Sequence, residues 1–261
     1  MLVPPVTKAL ACGAIALDKS HCLRFLRPDA PLQLLVLPYA GGSPNEFRSL
    51  QEQLPAEIGL ALGIFPGRDR RIREVALRRM EPLVADLEAG LGPLLRRRYA
   101  ILGHSMGSWV GYALCQGLQK AGLPLPEQLI VNARRAPGCP DPFPPLHPLP
   151  EREFLSVMQH RYGAIPPVLL EDPGLLALFL PALRADMELI ETYEVAPAAP
   201  LPLPITAFGG RQDLTVTEAE LAAWKASTSR SFHLRMIEGG HFFHKVPAFP
   251  DLLAQSLLED D

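Results

Sequence analysis

Residues 99–115 read YAILGHSMGSWVGYALC. An apolar, strand-like run leads into Gly103-His104-Ser105-Met106-Gly107, and a stretch with helical spacing follows. One serine between two glycines at a strand-to-helix junction is the pattern of a nucleophile elbow. Such a turn is sharp, so the positions two before and two after the serine must lack side chains that collide with strand and helix. The hydroxyl then projects above the sheet at a helix N-terminus, whose dipole favours negative charge. A glycine-rich turn with a capping serine reads the same way over five residues, so the setting between strand and helix carries the assignment.

Outward from the elbow the chain alternates. Leu32–Leu37, Ile58–Phe65, Ala100–Leu102 with its flanks, Gln128–Val131, Ile205–Phe208 and Phe232–Ile237 read as short strands. Most are continuously apolar, as parallel strands covered on both faces must be. Asn45–Leu54, Met80–Leu95, Gly107–Lys120, Glu218–Ser227 and Pro247–Leu258 read as helices between them. This alternation predicts an α/β protein with a doubly wound, mostly parallel sheet. In such sheets active residues gather at the carboxyl ends of the strands.

Proline marks an interruption. The chain has 29, and residues 136–150 and 196–204 are crowded with them. Neither stretch can propagate helix or central strand. Between them Glu151–Val195 has helical periodicity, which predicts a helical lid inserted at about 137–200 in a single domain spanning 22–261. Two ordinary crossover helices with long loops are the alternative. Phe154, Met158, Leu176 and Phe179 are expected to line a chamber under that lid. Residues 1–21 include the apolar stretch Ala9–Leu17 after Lys8. It is short for a signal peptide and is read as a poorly ordered extension.

Composition narrows the function classes. Of 261 residues, 48% are hydrophobic and 20% charged, with a formal net charge of −3. That balance gives no reason to expect nucleic acid, and no apolar run approaches a membrane span. Cys12, Cys22, Cys115 and Cys139 form no metal-binding spacing, which fits reduced thiols in the cytoplasm. No metal or cofactor is expected, and a monomer is expected. Between Arg68 and Arg98 arginines outnumber acids. A solvated helix face explains such a cluster; steering of an acidic partner through Arg70 and Arg71 is the functional alternative.

A serine nucleophile needs a base, and the base an orienting acid. His241 follows the strand Phe232–Ile237 and a Gly239-Gly240 turn, at the sheet's carboxyl edge. His244 is the runner-up; His104, beside the serine on a tight turn, is given a packing role. Asp213 follows Ile205–Phe208 and Gly209-Gly210, again at a strand end and in the order Ser…Asp…His. Asp186 falls in a helical stretch of the insert, where an acid serves a solvated face or a structural ion pair. The expected triad is therefore Ser105, Asp213 and His241. Met106 and Ala40, the latter in Pro38-Tyr39-Ala40-Gly41-Gly42-Ser43, are the expected backbone donors of an oxyanion hole.

PYAGGS, FPGRDRR, GHSMGS, ARRAP, LRADMELIETY, AFGG with Asp213, and EGGHFF occur in one order. Together they resemble the type II thioesterases of nonribosomal peptide synthetase and polyketide synthase pathways, over roughly Cys22 to Leu258. The resemblance implies an α/β-hydrolase fold with a helical lid and the same triad and oxyanion donors. It also implies thioester hydrolysis on acyl or peptidyl carrier domains, whose phosphopantetheine carries the substrate. One departure is Asp69, where such proteins often carry a second glycine after Pro-Gly-Arg. A medium-chain acyl thioesterase releasing fatty acids, or a carboxylesterase of the same fold, would share the triad; an intact triad argues against a non-catalytic partner.

Overall fold

The computed structural model describes residues 19–163, 165–195 and 198–258. The extension read over residues 1–21 therefore lies, up to residue 18, outside the described residues, and its end, Lys19–Cys22, forms a 3₁₀ turn. Seven strands follow in the chain: β1 (Leu23–Phe25), β2 (Leu32–Leu37), β3 (Ile58–Gly63), β4 (Arg98–His104), β5 (Leu129–Asn132), β6 (Ile205–Gly210) and β7 (Phe232–Ile237). They form one sheet in the order β1-β3-β2-β4-β5-β6-β7, in which only β1 runs antiparallel. Every residue of β2, β3, β5 and β6 is buried, so apolar side chains are needed on both faces of the pleat. One hydrophobic cluster fills each side of the sheet.

The helices are α1 (Leu50–Gln53), α2 (Met80–Gly90), α3 (Met106–Ala121), α4 (Glu151–Tyr162), α5 (Pro167–Glu171), α6 (Pro173–Thr192), α7 (Glu218–Ala222) and α8 (Phe249–Leu258). Some are shorter than their periodicity predicts. The stretch Asn45–Leu54 divides into a 3₁₀ turn, Pro44–Phe47, and the single turn of α1. Helix α2 stops at Gly90 rather than Leu95. Pro93 supplies the reason, since it has no N–H to donate to the preceding turn; the chain goes on only in turns, with the Leu94 and Leu95 N–H groups donating to Leu91 O. The segment Glu218–Ser227 ends in a 3₁₀ turn from Ala223. Strand β1 goes unpredicted because three residues carry no readable period.

The insert is helical, as its periodicity predicts. Helix α4 ends at Gly163 in a left-handed cap, and Asp172 caps α6 by accepting from the N–H groups of Gly174 and Leu175. Helix α6 turns Leu183, Asp186, Met187 and Ile190 inward, whereas α5 buries no residue at all. No helix among the described residues is long and apolar enough to cross a membrane.

Candidate active site

The elbow is sterically enforced. A Cβ on Gly103 would stand 2.2 Å from the Gly107 carbonyl oxygen, and one on Gly107 would stand 2.0 Å from the Leu37 carbonyl oxygen. Between them Ser105 is held at φ +52°, ψ −113°, a conformation L-residues rarely adopt. Its N–H donates to Asn132 O at 2.8 Å, which ties the turn to the end of β5. Ser108 Oγ completes the tie, lying 2.8 Å from Gly103 O and accepting from the Asn132 N–H at 3.0 Å.

Asp213 and His241 arrive from the ends of β6 and β7. Asp213 Oδ2 lies 2.9 Å from His241 Nδ1. Asp213 Oδ1 accepts from the N–H and hydroxyl of Thr215, at 2.8 and 2.7 Å, and the Thr215 hydroxyl also lies 3.0 Å from His241 Nδ1. Burial alone would raise the Asp213 carboxyl, but the bonds and charge of His241 and the bonds of Thr215 hold it below the usual carboxylate range. An imidazole held by a carboxylate at Nδ1 has Nε2 left to exchange a proton. His241 and Ser105 line one cavity of about 290 Å³, together with Tyr39, Ala40, Phe242 and residues of the insert.

The rival residues go elsewhere. His244 stacks on Phe47 at 4.9 Å and meets His104 at 4.4 Å, away from that cavity. Burial, with Lys245 and His241 nearby, pushes its pKa down to about 3. His104 is fully buried among Tyr39, Phe242, Phe243 and the two histidines, and burial holds it neutral. Asp186 is a structural acid, and a more consequential one than a helix face would need. Both its oxygens take a guanidinium nitrogen of buried Arg68 at 2.7 Å, and Oδ2 also accepts from the Gly41 N–H at 2.7 Å. Helix α6 and the glycine loop are thereby bolted together.

That loop contains Ala40, which lines the cavity. Among the described residues no protein acceptor engages the N–H of Ala40 or of Met106, the first residue of α3. Both remain available to a ligand oxygen. Of the four residues expected under the lid, Met158 lines the cavity. Phe154 instead packs in the core beneath Arg184, and Phe179 lies against Gly41. Leu176 is only partly buried against the core. The roof is made by Met158, Tyr162, Met187 and Ile190, with the Tyr162 ring 5.2 Å from that of His241. Thr215 and Tyr162 escaped sequence reasoning, although Asp-x-Thr is a readable turn pattern.

The arginine cluster is mostly structural at its start. Arg71 is buried and paired with Glu74 and Asp86, while Arg70 donates to the carbonyls of His21 and Leu23. That placement removes Arg71 from the steering alternative, because its charge is buried and neutralised by two carboxylates; Arg70 is exposed, and its carbonyl acceptors leave its charge in place. Asp69 keeps φ +49°, the region a glycine favours, and its carboxylate takes Arg24, Asn45 and its neighbour's N–H. The departure from the usual glycine thus preserves the turn, because a short acid can bond locally.

The sequence and the fold both match a known family. The family model described as "Thioesterase domain" matches residues 32–251. The chain belongs to the thioesterase family. It is a hydrolase acting on thioesters, with the α/β-hydrolase fold of its structural neighbours. It is 35% identical over 214 residues to the gramicidin S biosynthesis protein GrsT of Aneurinibacillus migulanus, covering 82% of this chain and 83% of that one. RedJ, a thioesterase from the prodiginine biosynthetic pathway in Streptomyces coelicolor, superposes with a TM-score of 0.78 at 34% identity, covering 88% of this thioesterase and 90% of RedJ. YbtT, the type II thioesterase of the yersiniabactin NRPS/PKS pathway, gives 0.80 at 29% identity, covering 90% and 96%.

Proposed function

We propose that this thioesterase is a type II, editing enzyme that clears aberrant or stalled acyl groups from the phosphopantetheine arms of carrier domains in a nonribosomal peptide or polyketide assembly line. The observation that carries this reading is the convergence of Ser105 and the Asp213–His241 pair on one small cavity under the insert. Its relatives GrsT, RedJ and YbtT, named for biosynthetic pathways of this kind, supply the assembly-line context. The cytoplasm is the proposed setting, and the catalytic unit is a monomer.

In this mechanism His241 Nε2 takes the proton of Ser105 Oγ as the oxygen attacks the thioester carbon. Asp213 fixes the tautomer and stabilises the imidazolium. The N–H groups of Ala40 and Met106 hold the oxyanion. The carbon–sulfur bond breaks and the departing thiolate takes the proton from His241. Water, deprotonated by the same imidazole, then attacks the acyl-serine and releases the free acid and Ser105. The chain's own side chains supply every proton transfer, and no cofactor is called for beyond the arm that presents the substrate.

Carrier docking is proposed at the exposed side chains of Ile72, Val75 and Leu178, beside Arg78, which pairs with Glu188 yet stays largely exposed. The test is to compare hydrolysis of one acyl group on a carrier protein, on coenzyme A and as a simple ester. The carrier-borne thioester should have the highest kcat/KM; an ester preferred over both thioesters would overturn the reading.

A further inference from the structure

The Ala-Arg-Arg-Ala-Pro motif at 133–137 plays no part in this chemistry. It begins where β5 ends, with Ala133 at φ +52° and its N–H donating to Phe208 O at 3.0 Å. The chain's two tryptophans grip the turn: Trp224 Nε1 donates to Arg134 O at 2.8 Å and Trp109 Nε1 to Arg135 O at 2.9 Å. From there the two arginines part company. Arg135 meets Asp141 at 2.6 Å, Glu220 at 3.3 Å and Thr215 O at 2.8 Å. Arg134 meets none. It is 7% exposed, its guanidinium carbon sits 3.7 Å from the centroid of the Trp109 ring, and among the described residues no acceptor takes a hydrogen bond from it.

Arg134 borders a second cavity, of about 740 Å³, which shares Tyr162, Met187 and Ile190 with the cavity of Ser105. The other charged groups on its wall are already engaged. Asp141 is paired with Arg135. Glu191 accepts from the Leu146 and His147 N–H groups and lies 2.7 Å from His147 Nδ1. Arg161 packs 4.2 Å over the Phe143 ring. Burial, with the Arg135 cation nearby, pushes the Arg134 guanidinium down to about 10 against the opposing pull of the Tyr162, Asp141 and Glu191 side chains. A buried cation on a cavity wall, stacked on an indole and with no acceptor in direct contact, is destabilising unless something anionic reaches it.

We infer that this second cavity receives the acyl group and that Arg134 binds a carboxylate at its far end, so that the favoured substrates are half-thioesters of dicarboxylic acids. The inference rests on the reading of Ser105 as the acylated residue. The location favours the acyl group over the phosphate of the arm. The Ser105 N–H donates to Asn132 O, two residues before Arg134, so both flank one strand junction. The arm's phosphate is two amide units away from the thioester sulfur. The chemistry favours a carboxylate over a neutral acceptor, because a planar guanidinium engages it through two parallel bonds and the charges cancel.

The experiment compares S-glutaryl- and S-pentanoyl-pantetheine, equal in chain length, with the wild-type enzyme and Arg134→Gln and Arg134→Lys. The ratio of the two kcat/KM values is read within each enzyme, so a general loss of activity cancels. The glutaryl-to-pentanoyl ratio should fall about thirtyfold in Arg134→Gln, as expected when one partner of a buried charge pair is removed, and less in Arg134→Lys. A ratio that changes by less than about threefold in both variants, a margin within ordinary context effects, overturns the inference. Calorimetric binding of free glutarate supplies a readout independent of turnover: wild type should bind it, and Arg134→Gln should not. If the wild type hydrolyses neither thioester, the proposed activity fails while glutarate binding still decides the role of Arg134, and equal binding by both proteins overturns it.

Discussion

The carboxylate of Asp186, on helix α6 of the insert, accepts the N–H of Gly41 at 2.7 Å, next to the proposed oxyanion donor Ala40. The same carboxylate holds Arg68 through both oxygens, and the ion pair is almost wholly buried. Asp186→Asn should lower kcat far more than it changes KM, because a displaced loop misplaces a donor used in the transition state. Stability should fall by about 3–5 kcal/mol, the cost of orphaning a buried charge. Steady-state kinetics beside thermal unfolding tests this; lost stability with kcat intact would reduce Asp186 to a brace.

Ser105→Ala should lose about a millionfold in kcat while remaining folded. Ser105→Gly should be equally inactive yet melt higher than the alanine variant. The backbone at φ +52° is strained for any side chain, and relief is worth about 1–3 kcal/mol. Equal melting temperatures would mean that the turn carries no strain.

His241→Ala should match the loss of the serine, since triad members act as a unit. His244→Phe should keep turnover and change the acid response instead. His244 is depressed to about 3 in the fold and takes up a proton near its ordinary value of 6.5 once unfolded. Between those values the unfolded chain binds the extra proton, so stability rises with pH, is fully present above 6.5 and is lost on acidification. Removing the imidazole should flatten the curve there by about 1.4 kcal/mol per pH unit. Urea midpoints from pH 4 to 7 check it; parallel curves would contradict it.

The insert should not move as one piece. Helix α5 buries nothing, whereas α6 is fastened through Asp186 and carries a buried face from Leu183 to Ile190. Amide exchange should be fast over Pro167–Glu171 and slow over Leu183–Ile190, because local opening follows buried contact. Uniform exchange across the insert would refute this division.

Val75→Glu with Leu178→Glu should raise KM for carrier-borne substrate and leave that for a pantetheine thioester alone. Both side chains are largely exposed, so folding should be unaffected. Equal effects on the two substrates would remove the docking assignment.

How much of this was legible in the sequence depended on the range of the forces involved. Strands β2 to β6 announced themselves because burial on both faces demands unbroken apolar runs. Ser105 was readable from its glycines, whose close contacts with residues 37 and 107 are fixed by one local turn. The pairing of Asp213 with His241 was foreseeable because strand ends are predictable addresses. For Asp186 the ion pair was readable as an alternative but its partners were not, since Gly41 and Arg68 lie 145 and 118 residues away in the chain. Arg71 misled for the same reason: charge is visible in a sequence, but the carboxylates of Glu74 and Asp86 that neutralise it are not. The roof was half readable, because helical spacing gave Met158 an inward face without saying which neighbours it would meet.

The grip of both indoles on one turn has a practical consequence. Trp109 and Trp224 are the chain's only fluorophores of their kind, and each donates its N–H to a carbonyl beside the proposed acyl subsite. Trp109 also carries a guanidinium on its face. Intrinsic emission of the unlabelled protein therefore originates beside the cavity itself. Filling that cavity with a carboxylate should draw the cation away from the ring and alter the indole's spectrum, giving an optical titration that needs no reporter group.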